Sequence, residues 1–256
     1  MNKVFGYPQF NGKGEKILTT YEGDYSNMLM DIRVYRLRTG ERRRFFFQEE
    51  ECAVLLQAGD ITLAYEGNEN RCRRKDVFSE GLWCLHVCFG VEVVVTANMD
   101  SQILVQRTHN AHTFASKLYS PQDAPWQSVC KGMFDDTANR RVSTVFDHST
   151  APYSNMVIGE VLNDSGNWSG YIPHHHPQPE VYYFKFNRPE GFGASFVGDD
   201  VYKITDGSFS AIPGGLTHPQ ANAPGFLMYT CWMIRHLDGD PWVDRIDDER
   251  YVWLYG

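Results

Sequence analysis

Gly170-Tyr171-Ile172-Pro173-His174-His175-His176-Pro177-Gln178-Pro179-Glu180 carries more chemistry than any other stretch of this 256-residue chain. In an extended segment, residues two apart share a face, so His174 and His176 project together, about 6–7 Å apart at the backbone. His175, between them, points away. Pro177 and Pro179 cannot donate ladder hydrogen bonds, so the chain bulges or turns there. Glu180 then swings back onto the same side at the head of the apolar run 181–186. Two imidazoles and a carboxylate converging from strands form a metal-binding set. Downstream, Gly207-x5-Pro213-x-Gly215-x2-His218-x3-Asn222 sets a fourth ligand just past a tight turn, where a hairpin returns beside the first strand. A run of three histidines alone suits surface decoration, and a lone His218 suits a packed residue. Both segments, in this order and spacing, specify a metal site.

Around these segments the chain is strand-rich from end to end. Short runs of Val, Ile, Tyr, Phe and Thr occur at 28–37, 45–47, 52–56, 61–65, 91–96 and 103–106. After a looser middle they return at 144–145, 156–162, 181–186, 194–197, 200–204, 208–212 and 227–234. A spacing of about ten residues, with Gly- and Asp-containing turns between runs, predicts an all-β barrel or sandwich. Asp206-Gly207 is a tight-hairpin dipeptide, because Gly tolerates the positive φ the turn demands. No sustained 3.6-residue period appears, and the one short helix expected lies at 122–131.

The polar stretch 109–147 reads as a connector between two halves, 1–120 and 121–256. The halves echo each other. Residues 78–84 can be laid against 212–218, with Cys84 where His218 stands, and Glu51 falls opposite Glu180. A duplicated β-unit follows, of which the first copy lacks metal ligands.

Charge and cysteine usage exclude several partners. Lys+Arg is 24 against 32 Asp+Glu, a net charge of −8, so the chain has no electrostatic footprint for nucleic acid or anionic membranes. The clusters Arg42-Arg43-Arg44 and Arg71, Arg73, Arg74, Lys75 are short and read as solvated faces. No apolar run approaches the roughly 20 residues a membrane span needs, and the start has no apolar leader region. The six cysteines form no C-x-x-C pair and read as reduced, packed thiols. A cytoplasmic protein is expected, with no nucleic-acid or membrane partner and self-association into a homo-oligomer left open.

The two segments resemble the two motifs of the cupin superfamily, H-x-H-x3-E ahead of a strand and G-x5-P-x-G-x2-H-x3-N, the second matching at every fixed position. The resemblance implies an all-β bicupin, two jelly-roll-like barrels, with His174, His176, Glu180 and His218 holding one metal in the second. Trp168-Ser169-Gly170-Tyr171-Ile172-Pro173-His174, Glu180-Val181-Tyr182-Tyr183-Phe184, Pro189-x-Gly191-Phe192-Gly193 and the run 198–202 further resemble the 5-deoxy-glucuronate isomerase family. These are two-cupin proteins of myo-inositol breakdown, related to the 5-keto-4-deoxyuronate isomerases of pectin breakdown. The similarity covers about residues 155–235; over the first half it is architectural. Many members carry a longer insert between the His pair and the Glu, where this chain has three residues.

That resemblance implies an aldose–ketose isomerisation of an acidic deoxy-sugar, 5-deoxy-glucuronate to 5-dehydro-2-deoxy-gluconate. A metal with open positions can chelate the hydroxyl and carbonyl oxygens and stabilise the charge that develops. Zn2+ or Mn2+ suits non-redox chemistry, and Fe2+, Ni2+ and Cu2+ accept the same donors. For proton transfer, Tyr182 has the strand parity of Glu180, and Glu160 on the run 156–162 is another inward candidate, as is Gln220. Tyr182 serves equally well as a barrel-filling aromatic. For the substrate carboxylate an Arg fork is favoured; Arg140, Arg141 and Arg235 are available, with Lys185 as a point charge. The neighbourhood Asn139-Arg140-Arg141-Val142 favours Arg141. Histidines 86, 109, 112, 148 and 236 have no paired spacing and read as ordinary. Two other readings compete: a cupin dioxygenase with Fe2+ or Cu2+ on the same ligands, and a non-enzymatic sugar-binding or regulatory cupin.

Overall fold

The strand Met156–Asn163 is buried on both faces along its whole length, and that sets the architecture. Val157 and Val161 face one apolar core, while Met156, Ile158 and Leu162 face another. A strand with two dry faces must lie between two layers, here the interior of its own barrel and a neighbouring barrel. The computed structural model describes residues 3–256.

Two large antiparallel sheets lie back to back. One runs, in spatial order, Phe5–Gly6, Phe209–Ile212, Glu180–Phe186, Met228–Arg235, Met156–Asn163, Arg140–Phe146 and Gln127–Val129. The other is built on the path Lys117–Tyr119, Cys84–Val87, Glu50–Tyr65, Ser101–His109, Asp31–Leu37 and Glu15–Thr19, with three further strands along its side. The chain passes from one sheet to the other between Tyr119 and Gln127, and the strand Phe5–Gly6 crosses back to pair with the second-half strand. A four-stranded sheet, Trp168–Ser169, Gln220–Asn222, Phe192–Val197 and Asp200–Thr205, closes the second barrel over its large sheet. The fold is an all-β bicupin.

Three cores result. One fills the first barrel (Cys52, Val54, Leu56, Leu85, Val105), one the second (Tyr182, Phe184, Ile212, Trp232), and the largest lies between them (Ala53, Leu55, Ile158, Val181, Tyr183, Met233). Buried polar links cross that middle layer. The Arg74 guanidinium donates to both Glu160 oxygens at 2.7 and 2.8 Å, both side chains fully buried. Tyr229 donates to the same carboxylate at 2.7 Å. Glu51 accepts from Ser154 and the Asn155 amide and meets His86 at 2.8 Å.

Several sequence expectations change. The segment 122–131 holds the strand Gln127–Val129 and turns rather than a helix, and only three short 3-10 turns occur among the described residues. The runs 52–56 and 61–65 are one bent strand, Glu50–Tyr65. The polar strand Asn68–Arg74 has no apolar signal; it exists because it hairpins onto Glu50–Tyr65. Its Arg71 and Arg73 are solvated, as expected, but Arg74 is fully buried. The repeat alignment is also shifted. Cys84 opens the strand that pairs with Glu50–Tyr65, as Phe209–Ile212 pairs with Glu180–Phe186, whereas His218 follows that strand in a loop. Glu51 faces the middle layer, and Cys52 occupies the inward place that Glu180 has in the second barrel. All six cysteines are free thiols, five of them buried. No described helix is long and apolar enough to cross a membrane.

Candidate metal centre

Two loops must meet for the histidines to converge. The segment carrying His174 and His176 leads into the strand Glu180–Phe186, and the turn Pro213-Gly214-Gly215 follows the adjacent strand Phe209–Ile212. The turn docks directly on the first segment, the Gly215 amide donating to the His176 carbonyl at 2.8 Å. A Cβ on Gly214 would sit 1.7 Å from the Pro177 carbonyl oxygen, so only glycine permits this approach. Beyond the turn, Gly198 and Phe196 donate to the carbonyls of Thr217 and Pro219, fixing the backbone on either side of His218.

Each histidine is held in one tautomer. Nδ1–H of His174 donates to the Ile172 carbonyl at 3.0 Å, that of His176 to Gln178 at 2.9 Å, and that of His218 to Leu216 at 2.8 Å. A carbonyl oxygen only accepts, so Nδ1 carries the proton, and in the neutral tautomer Nε2 is the atom left with a lone pair. The Nε2 atoms of His176 and His218 lie 3.2 and 3.1 Å from Glu180 Oε2. His218 Nε2 is buried with no hydrogen-bond partner. Lone pairs crowded against a carboxylate oxygen repel it unless a cation stands among them, which is the donor arrangement of a metal site.

The ligand atoms of His176, Glu180 and His218 lie within 4.8 Å of one another. His174 lines the same cavity, its ring 4.8 Å from that of His218. Burial, with repulsion from His218, pushes His174 down to about 3, so it is a neutral donor at ordinary pH. His175 pairs with Ile246 on a two-residue strand at the mouth and does not line the cavity.

The cavity, of about 320 Å3, is walled by Arg140, Val142, Thr144, Val161, Tyr182, Gln220, Thr230, Trp232 and Ile234, with Trp242, Asp244 and Arg245 from the C-terminal segment. That segment is fastened over the mouth by the pairing of Ile246–Asp247 with His174–His175 and by Gln178 donating to the Asp240 carbonyl. Tyr182 and Gln220 are thus in the wall. Burial, with Glu180 adding to it, raises the Tyr182 phenol well above its ordinary value.

Three other expected site residues are elsewhere. Glu160 points into the layer between the barrels and is paired with Arg74. Arg141 is half exposed beside Asp164, on the outer face of its strand, and its neighbour Arg140 points inward. Arg235 faces the first half, donating to Thr108 and to the His236 carbonyl. Lys185 likewise leaves the barrel for Gln102. Trp242, Asp244 and Arg245 were not found from sequence, because no motif or strand period links the C-terminal segment to the site.

A two-barrel all-β chain with a donor set suited to a metal inside its second barrel has the architecture of a bicupin. The chain belongs to the KduI/IolB family, whose model matches residues 7–254. The 5-deoxy-glucuronate isomerase of Geobacillus thermodenitrificans is 26% identical over 237 residues, covering 82% of this chain and 84% of that one. The protein of the same name from Bacillus subtilis (strain 168) is 23% identical over 250 residues, 90% of each. Among solved structures, an IolB-like protein from Salmonella typhimurium LT2 superposes with a TM-score of 0.87 at 19% identity, over 99% of this chain and all of that one. A Lactobacillus farciminis oxalate decarboxylase gives 0.70 at 10% identity, over 98% of this chain and 90% of that one. These two likenesses concern the fold.

Proposed function

We propose that this chain is a metal-dependent aldose–ketose isomerase that converts 5-deoxy-glucuronate to 5-dehydro-2-deoxy-gluconate in inositol catabolism, working in the cytoplasm. One observation carries the reading: a single cavity joins the metal donor set to a row of unsatisfied polar atoms suited to a polyol. Gln220, Thr230, Trp232 and Trp242 all line it, and Gln220 Oε1, Thr230 Oγ1 and both indole nitrogens are buried without partners in the protein. Buried polar groups left unpaired are costly, so they favour a ligand rich in hydroxyls. Family membership and the names of the relatives support the same reaction.

His174, His176, Glu180 and His218 would hold the ion, Zn2+ or Mn2+ by the donor set, which Fe2+ and Ni2+ also accept. A divalent ion there supplies polarisation of the C1 and C2 oxygens and stabilises the charge that develops on them. The rest falls to the chain. Tyr182 holds its proton, so its phenol can donate to a substrate oxygen and take the proton back. Gln220 Oε1 and Thr230 Oγ1 accept from hydroxyls, and the two indole N–H groups donate to them. The proton that moves between C2 and C1 has one carboxylate in the wall outside the ligand set, Asp244. The indole rings keep bulk water from the reacting carbons.

The test is to incubate protein supplied with Zn2+ or Mn2+ with 5-deoxy-glucuronate and follow loss of the aldehyde proton by NMR. A ketose product supports the reading. No turnover with any of Zn2+, Mn2+, Fe2+ or Ni2+ overturns it. Including 5-keto-4-deoxyuronate in the panel separates this reaction from that of the related 5-keto-4-deoxyuronate isomerases.

A further inference from the structure

Arg140 is a charged group in an unusual position. Its residue is 5% exposed, in the wall of the metal cavity, and no Asp or Glu among the described residues forms an ion pair with it. Its protein partners are two carbonyls and a cysteine sulfur: Nη1 donates to the Ala138 carbonyl at 3.0 Å and to Cys130 Sγ at 3.4 Å, and Nη2 to the Tyr171 carbonyl at 3.4 Å. A guanidinium has five N–H donors. Nε–H and one Nη2–H therefore have no acceptor among the described residues. A buried cation without a counter-charge is strongly unfavourable, whereas an incoming anion relieves the cost.

A second guanidinium stands nearby. Arg245, at the mouth, is held by Asp247 at 3.0 Å and by Tyr255 at 3.1 Å. Burial pushes Arg140 below its ordinary value, and repulsion from Arg245 adds to the shift. Two guanidiniums thus line one cavity, together with the Asp244 carboxylate, in a chain of net charge −8.

We infer that Arg140 is the fork that binds the ligand's carboxylate, with Arg245 completing the anion subsite at the cavity mouth. The inference rests on the sugar-acid reading above and specifies how the acid end is recognised. Net charge repels such a ligand, so selection for an acid has to be local. A side-on guanidinium edge matches a carboxylate with two parallel hydrogen bonds, which an amide or a hydroxymethyl group cannot supply. The opposite end of the sugar is then directed towards Glu180 and the histidines.

The test uses binding rather than turnover. Calorimetry on the full-length, Zn2+-supplemented protein compares D-glucuronate with D-glucose and D-glucuronamide. Wild type is expected to prefer the acid by at least about tenfold, the scale of a charge-assisted bidentate contact. Arg140→Gln removes that preference while its metal content and glucose affinity stay unchanged. Arg140→Lys, which keeps the charge and is the safer variant for folding, loses most of it; Arg245→Gln loses about threefold. Arg141→Gln, outside the cavity, changes nothing. A wild type with no preference for the acid overturns the inference, as does a folded Arg140→Gln or Arg140→Lys that keeps the full preference. Loss of the preference in a protein that isomerises no uronate sinks the isomerase reading and leaves the subsite standing; isomerisation with the preference intact does the reverse.

Discussion

The two barrels are built alike and filled differently. In the first, the inward side chains of the central strand are Cys52, Val54 and Leu56; in the second they are Glu180, Tyr182 and Phe184. Both central strands pair on either side in the same way, Cys52 with Val87 and Arg107, Glu180 with Ile212 and Ile234. One inward carboxylate against one inward thiol is thus the difference between the barrel that we propose is catalytic and the one filled by apolar packing. Among the described residues, the metal-competent cluster is that of the second barrel. The first barrel supplies the broad sheet against which the second barrel is set, and one half of the dry layer between them.

Removing that carboxylate is the most direct way to erase the difference. Glu180→Ala is expected to release the metal and lower turnover by at least about 1,000-fold, since the ion's charge stabilisation goes with it. Metal analysis on the purified variant, alongside the NMR assay, checks it. Retained metal with full turnover would mean that the site lies elsewhere.

Breaking the layer between the barrels has a different signature. Arg74→Met strands the buried Glu160 charge and is expected to cost about 3–5 kcal/mol of stability by urea denaturation. Replacing both with apolar residues of similar volume should restore most of it. Turnover per folded molecule should be unchanged, because Glu160 faces away from the cavity. A Glu160→Gln protein of normal stability but no activity would restore Glu160 to catalysis.

Smaller effects test the junction of the two motifs. Gly214→Ala forces the Pro213–Gly215 turn off the Pro177 carbonyl, for about 1–3 kcal/mol of stability and about tenfold weaker metal binding. Outside the site, burial, with His148 and Arg235 nearby, lowers His236 to about 4, while its Nδ1 accepts from the Trp242 amide. The unfolded chain therefore binds a proton that the native chain does not between pH 6.5 and about 4. Stability should rise with pH across that window and be lost as pH falls through it. His236→Asn, which keeps an acceptor, should flatten that part of the profile by on the order of 2 kcal/mol; an unchanged slope would refute the assignment.

The meeting of the two histidine motifs and the strand content were legible because they rest on local rules. The positions of His174, His176, Glu180 and His218 follow from two short motifs and a turn whose glycines have a steric reason. Parity also placed Tyr182, because Glu180 supplied a reference for which face is inside. Four other residues have no such reference: Glu160 is read as inward from its strand, Glu51 from the repeat alignment, Arg141 from its sequence neighbourhood, and Arg235 only as an available cation. Glu160, Glu51, Arg141 and Arg235 lie on strands whose two faces are both largely buried or polar, and alternation tells which residues share a face but not which face is inward. Arg140 and Arg141 differ by one residue, and one residue is the whole difference between cavity wall and solvent. The C-terminal closure by Trp242, Asp244 and Arg245 was illegible for another reason: it is a long-range contact made by a segment with no period of its own.

The most direct test counts metal against activity. Chelator-stripped protein is titrated with Zn2+ while the rate of 5-deoxy-glucuronate isomerisation is followed, and His218→Ala is carried in parallel. Activity should be absent at the start, saturate at one equivalent per chain, and never appear in His218→Ala. Full turnover by the stripped protein, or a second equivalent needed for saturation, would contradict a single metal centre in the second barrel.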